Sequence, residues 1–198
     1  MKGNGVRLIL ALTVCWGIVA CGRHSETYSV WLVPSGSQYD SLRGLICDLA
    51  TRYPSHCFMP HVTVVGDVQG TLDAIAHRAE QLAQRTGVLE ARLTSIAWTR
   101  DNYFRSFYVL IDETAGFSKL YEDTCAIIGK CQTRPYHMSI MYTDKLSDSA
   151  RAAIRDSLYA RRGAKRLGGT VRLTRMLVCF TTGLPPEEWS CPKELKLE

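Results

Sequence analysis

Two short segments carry residue types that move protons: Pro60-His61-Val62-Thr63-Val64-Val65-Gly66 and Pro135-Tyr136-His137-Met138-Ser139-Ile140-Met141-Tyr142. In each, a histidine stands two positions before a hydroxyl residue. On a strand, residues i and i+2 point to the same face. Each segment therefore presents an imidazole with a hydroxyl, and Val62, Val64, Met138 and Ile140 turn to the opposite, buried face. If the two strands meet, one cleft holds two imidazoles and two hydroxyls. That set suits phosphodiester chemistry. A neutral imidazole takes a proton from water, and an imidazolium gives one to the leaving oxygen. With an ordinary pKa of about 6.5, histidine occupies either state near neutrality. The hydroxyls donate hydrogen bonds to phosphate oxygens as charge builds there. No carboxylate cluster accompanies the histidines, so the pattern calls for no metal and no other cofactor. One His-x-Thr alone is usually a part-buried histidine without a chemical role; the pair, each led by a proline, carries the reading. His24, His56 and His77 lie in a polar tether, a turn and a polar helix face.

The elements that must position this pair follow from the hydrophobic pattern. Tyr28–Val33, His61–Val65, Leu89–Trp98, Arg105–Ile111, Tyr136–Tyr142 and Gly169–Phe180 read as strands. Ser35-Gly36-Ser37 reads as a turn, and Gly66 as the end of the second strand. Helical spacing begins at Leu42 and ends at Tyr53, before Pro54. It recurs over Leu72–Ala83, Phe117–Ile127 and Leu146–Tyr159. The segment Arg161–Arg166 reads as a basic loop and Thr181–Pro186 as a turn. This order predicts an α+β fold, a sandwich of antiparallel sheets with helices outside. Each half contains a helix, a cysteine-bearing turn and a proline-led strand with its histidine motif. That echo suggests two lobes related by a pseudo-two-fold around a central cleft.

The chain has 198 residues, 46% of them apolar and 22% charged, which excludes wholesale disorder and sets the scale of one domain. Residues 1–20 read as an export signal: Lys2 and Arg7 precede the apolar run ending at Ala20. As a helix, Val6–Ala20 would span about 22 Å, short of a bilayer core of about 30 Å. Ile18-Val19-Ala20-Cys21-Gly22 resembles the bacterial lipobox, with Cys21 as the lipidated N-terminus and 21–27 as a tether. The domain proper is expected over 28–198. By analogy with enteric bacteria, Gly22 favours an outer-membrane destination in the periplasm. Removing the signal leaves 22 basic and 19 acidic residues, too small an excess for a duplex nucleic-acid partner. Six cysteines remain: Cys47, Cys57, Cys125, Cys131, Cys179 and Cys191. An even set in an exported chain implies disulfides. Fifteen pairings are open, and joining neighbours (Cys47–Cys57, Cys125–Cys131, Cys179–Cys191) is the economical one. No Cys-x-x-Cys supports zinc.

The two histidine motifs resemble those of the 2H phosphoesterase superfamily, and within it the plant-type cyclic phosphodiesterases. Phe58–Gly66 and Tyr136–Tyr142 are similar to the two motifs. Tyr28–Pro34 resembles the family's opening strand, and Thr181-Thr182-Gly183 with Trp189 its C-terminal edge. The resemblance implies a two-lobed fold of antiparallel sheets, with His61 and His137 as the acid/base pair. It implies Thr63 and Ser139 on the phosphate, with Tyr142, Trp31 and Phe104 against the nucleoside. It also implies a Cys125–Cys131 disulfide. The expected substrates are nucleoside 2',3'-cyclic phosphates and ADP-ribose 1'',2''-cyclic phosphate, opened without a metal by a monomer that meets the membrane only through its lipid. Alternatives remain: another 2H activity on RNA ends or 2'-5' linkages, or a nucleotide-binding envelope lipoprotein without turnover. The lipobox and the additional Cys47 and Cys57 depart from the family pattern.

Overall fold

The computed structural model describes residues 26–132, 134–162 and 169–198. The expected signal peptide, the expected lipidation site Cys21 and most of the expected tether lie outside the described residues, as do residues 163–166 of the basic loop. The elements run β1 (Glu26–Pro34), α1 (Gly36–Arg52), β2 (Val62–Gly70), α2 (Leu72–Thr86), β3 (Leu89–Ala97), β4 (Phe107–Ile111), α3 (Ala115–Ile128), β5 (His137–Met141), α4 (Asp148–Arg162), β6 (Thr170–Phe180) and β7 (Ser190–Lys196). Short 3₁₀ turns cover Tyr103–Arg105 and Pro186–Glu188.

All ladders are antiparallel. The order β1-β2-β5-β4-β3-β6 closes on itself through a β1–β6 pairing, giving a six-stranded barrel-like sheet. The chain is α+β as expected, but its strands join in one ring where the pattern suggested separate stacked sheets. β1 lies between β2 and β6, and its two faces are both buried. Val30 and Leu32 enter the main core, while Trp31 and Val33 join a smaller cluster with Leu177 and Cys179. This double burial explains the unbroken apolar run Val30–Val33.

The helices pack their apolar stripes on the ring. Leu45, Ile46 and Leu49 of α1 are buried, and α1 lies against β5 and β1. In α2, Thr71 accepts a hydrogen bond from the Ala74 amide (3.4 Å), and Ile75, Ala79, Leu82 and Ala83 face inward. α2 packs on α3 and on β6. Gly129, at φ 81°, ends α3 in the left-handed conformation that glycine adopts without penalty. α4 is tied to β3: the Ile96 amide donates to the Tyr159 hydroxyl (2.9 Å).

The main differences from the sequence expectation are three boundaries and one added strand. β1 begins at Glu26, two residues inside the expected tether. α1 starts at Gly36, with Ser35 as its N-cap, so the expected turn is the first turn of the helix. β2 runs past Gly66 to Gly70 because the ladder absorbs an extra residue: Val30 pairs with Val65, but Tyr28 pairs with Val68. That bulge leaves Asp67 at φ 53° and makes Gly66 look like a strand end. β7 was not expected. Its sequence, Ser-Cys-Pro-Lys-Glu-Leu-Lys, lacks β-branched residues and has no fully buried residue; its ladder is with β6, to which Cys179–Cys191 also joins it, and Lys193 pairs with Glu80 of α2 at 2.6 Å.

All three neighbour disulfides form: Cys47–Cys57, Cys125–Cys131 and Cys179–Cys191. Among the described residues no helix is long and apolar enough to cross a membrane.

Candidate active site

β2 and β5 are joined through one residue pair, Val62 with Met138. These are the central residues of the two motifs. Both are fully buried, so the flanking His61, Thr63, His137 and Ser139 turn to the other side of the ladder. The antiparallel register brings His61 toward Ser139 and Thr63 toward His137. One cavity of about 660 Å³ is lined by all four, and also by Trp31, Phe104 and Tyr142. The seven side chains singled out for chemistry and binding, spread over more than a hundred positions, thus meet in one place.

The two imidazoles are held alike. His61 Nδ1 lies 2.7 Å from the Met59 carbonyl, and His137 Nδ1 lies 3.5 Å from the Pro135 carbonyl, each two residues back along the chain. A carbonyl only accepts, so Nδ1 carries the hydrogen and Nε2 is the free nitrogen. His61 is 4% exposed and stacks on Trp31, with ring centroids 3.8 Å apart and planes at 13°. Burial pushes the His61 imidazole down to about 4; the Met59 carbonyl opposes this, and His137 adds to it. His137 is also pushed down to about 4, first by burial and then by the Arg105 guanidinium, against the pull of the Pro135 carbonyl. Both are therefore neutral in the free protein at neutral pH.

The Tyr142 hydroxyl lies 3.5 Å from His61 Nε2, and burial pushes its phenol up. The Ser139 hydroxyl donates to the Phe104 carbonyl at 2.8 Å. Its single hydrogen is thus committed to that carbonyl. The three aromatic candidates differ in kind. Trp31 and Tyr142 are each 3% exposed, with one face taken: Trp31 by His61, and Tyr142 by Phe58 at 4.2 Å. Phe104 is 54% exposed and offers an open ring.

Sequence reasoning did not place Trp189 in the site. Its ring sits 5.4 Å from Trp31, 5.7 Å from Tyr142 and 6.2 Å from Phe104, and its Nε1 donates to the Leu184 carbonyl at 3.1 Å. The Cys179–Cys191 pairing was the available signal, since it fastens the residue two before Cys191 to the end of β6, beside β1. Ser29 and Thr181 also line the cavity, with their hydroxyls 3.4 Å apart. Among the described residues no group of three or more His, Cys, Asp or Glu side chains is arranged to hold a metal ion.

No curated protein matches the sequence. Solved structures share the fold. E. coli LigT in apo form superposes with a TM-score of 0.55 at 10% identity, covering 87% of this chain and 98% of that one. TT0787 of Thermus thermophilus gives 0.56 at 12% identity, covering 86% and 97%. E. coli LigT complexed with 3'-AMP gives 0.54 at 10% identity, with 87% and 98% covered. A family described as cyclic phosphodiesterase-like protein matches residues 27–191, which includes both histidine motifs and the aromatic walls. With that span matched and the fold shared, the chain belongs to the cyclic phosphodiesterase-like family of the 2H phosphoesterase superfamily.

Proposed function

We propose that this chain hydrolyses cyclic phosphodiesters, opening nucleoside 2',3'-cyclic phosphates to 2'-phosphates and ADP-ribose 1'',2''-cyclic phosphate to the 1''-phosphate, without a metal. The observation that carries the reading is the pair of imidazoles in one cavity, each with its Nδ1 hydrogen on a backbone carbonyl, which leaves Nε2 without a hydrogen. In this reading the ring is two lobes meeting at the Val62–Met138 pair, with the cavity as the cleft between them.

One imidazole removes a proton from water as the water oxygen bonds to phosphorus. The P–O bond of the ring breaks, and the other imidazole donates its proton to the departing oxygen. The product is a monoester with a free hydroxyl, and solvent returns the proton between the two histidines. Both imidazoles start neutral, so whichever one takes up a proton serves as the acid and the other as the base. The acid's proton arrives with the substrate, because a phosphate anion in the cavity stabilises an imidazolium. Thr63 and Ser139 bind phosphate oxygens, for which the Ser139 hydrogen leaves the Phe104 carbonyl. Phe104 stacks on the base, while Trp31 and Tyr142 form its walls.

We further propose that the chain works in the bacterial envelope as a monomer anchored through a lipid on Cys21. The three disulfides support an oxidising compartment. LigT has been crystallised with 3'-AMP, phosphate and ATP, which supports small phosphate-bearing ligands here. The test is turnover of 2',3'-cyclic AMP by purified protein in EDTA, with the product identified by phosphorus NMR. A 2'-phosphate product is expected. No turnover, or turnover abolished by EDTA, overturns the proposal.

A further inference from the structure

Arg105 sits in the 3₁₀ turn between β3 and β4, and its backbone is firmly held. Its amide donates to the Asn102 carbonyl (3.0 Å), and its own carbonyl accepts from the Thr99 amide (2.9 Å) and the Thr99 hydroxyl (3.1 Å). Its side chain lines the cavity. The guanidinium carbon is 5.2 Å from the Tyr108 ring centroid, and that ring lies 4.8 Å from His137. Nε is buried and has no hydrogen-bond partner among the described residues. Among the described residues no carboxylate pairs with this guanidinium. The other charged side chains on the cavity wall are Lys130 and Asp67, and Lys130 already donates to the Asp67 carbonyl at 2.8 Å.

A cation with a buried, orphaned donor is costly unless something brings it an acceptor. An arginine is also the side chain whose planar fork matches two oxygens of one phosphate. The turn holds it from the backbone side, and Tyr108 steers it toward His137. We propose that Arg105 is a substrate-binding residue that grips the phosphate of the bound ester from the His137 side and makes the cavity choose phosphate-bearing ligands over neutral nucleosides. This rests on the cyclic phosphodiester reading above and names the group that recognises the substrate's charge. The same contact has a second consequence. A phosphate that neutralises the guanidinium removes its opposition to charge on His137, so the site's protonation responds to whether it is filled.

The experiment compares the parent chain with Arg105→Gln and Arg105→Lys. Dissociation constants are measured for inorganic phosphate, 3'-AMP and adenosine, and His137 is titrated by NMR in the free protein. Arg105→Gln is expected to weaken phosphate and 3'-AMP by about ten- to a hundredfold, the range for a lost charge-assisted contact, with adenosine unchanged. Arg105→Lys keeps the charge without the fork and recovers part of the loss. The His137 pKa rises in Arg105→Gln, which a purely structural role for the residue would not produce. Unchanged adenosine binding shows that the variant is folded. Phosphate binding unaffected by Arg105→Gln, equal weakening of adenosine and 3'-AMP, or no phosphate binding by the parent would each overturn the proposal. Turnover of 2',3'-cyclic AMP by the parent is scored separately. A parent that binds phosphate through Arg105 but does not turn over refutes the cyclic phosphodiesterase reading and leaves this one standing. A parent that turns over with phosphate affinity indifferent to Arg105 does the reverse.

Discussion

The pH dependence of kcat/KM is expected to lie well below neutrality. Acid/base turnover needs one imidazole charged and the other neutral, yet burial pushes both His61 and His137 down to about 4. At pH 7 a group with that pKa carries its proton in only about one molecule in a thousand. Because kcat/KM reports the free protein, it should fall about tenfold for each pH unit from about pH 5 to pH 8. Below about pH 4 the base is protonated too, so the profile turns over into a bell whose limbs belong to the coupled pair. In the complex, the bound phosphate anion stabilises the imidazolium, and the kcat profile should lie at higher pH than that of kcat/KM. The assay is initial rates on 2',3'-cyclic AMP across this range, with NMR titration of both imidazoles in the empty protein. A kcat/KM that stays flat from pH 5 to pH 8 would refute the reasoning. So would an imidazole that titrates at or above the ordinary histidine value in the free protein, because desolvation would then not control the site.

The same shifts act on stability. The folded pKa values lie below the unfolded value of about 6.5, so the unfolded chain binds more protons between about pH 4 and pH 6.5. The contribution is complete above pH 6.5 and is lost as pH falls to 4; for His61 it amounts to about 3 kcal/mol, read from urea unfolding at pH 7 and pH 4. His61→Ala and His137→Ala should each remove most turnover, with the double variant adding little, since the two act as one unit; near-normal rates in either single variant would exclude this site. Phe104→Ala should raise KM by the roughly 1–3 kcal/mol of a lost base stack and leave Tm unchanged, because the ring is exposed. Replacing Cys179 and Cys191 together by Ala frees the start of β7, next to Trp189. It should raise KM more than it lowers kcat, and denatured parent protein should show no free thiol on Ellman titration.

Much of the site was legible because β geometry is local. The i, i+2 rule alone turns His61 with Thr63, and His137 with Ser139, to one face, and the buried Val62, Val64, Met138 and Ile140 show the opposite face packed. The helices α2, α3 and α4 were legible because their apolar residues recur at helical spacing over several turns. The first turn of α1 was not, because Ser-Gly-Ser has the composition of a loop and becomes helical only as the stretch following the Ser35 cap. β7 escaped for a related reason: an edge strand stitched to β6 by a disulfide needs no apolar face of its own.

The sequence by itself determined which side chains are able to do chemistry, the side of its strand each one takes, and six of the seven strands, since these depend on spacing within a few residues. Only the tertiary structure decided that the strands close into a ring through β1 and β6, and that a single Val62–Met138 pair brings the two motifs together. It alone set the environment of each group: His61 pressed against Trp31, the Ser139 hydrogen held by the Phe104 carbonyl, and Arg105 Nε left without a hydrogen-bond partner among the described residues. Protonation and hydrogen-bond commitment depend on neighbours distant in the chain, through desolvation and charge. These act across space, and spacing along the sequence does not encode them.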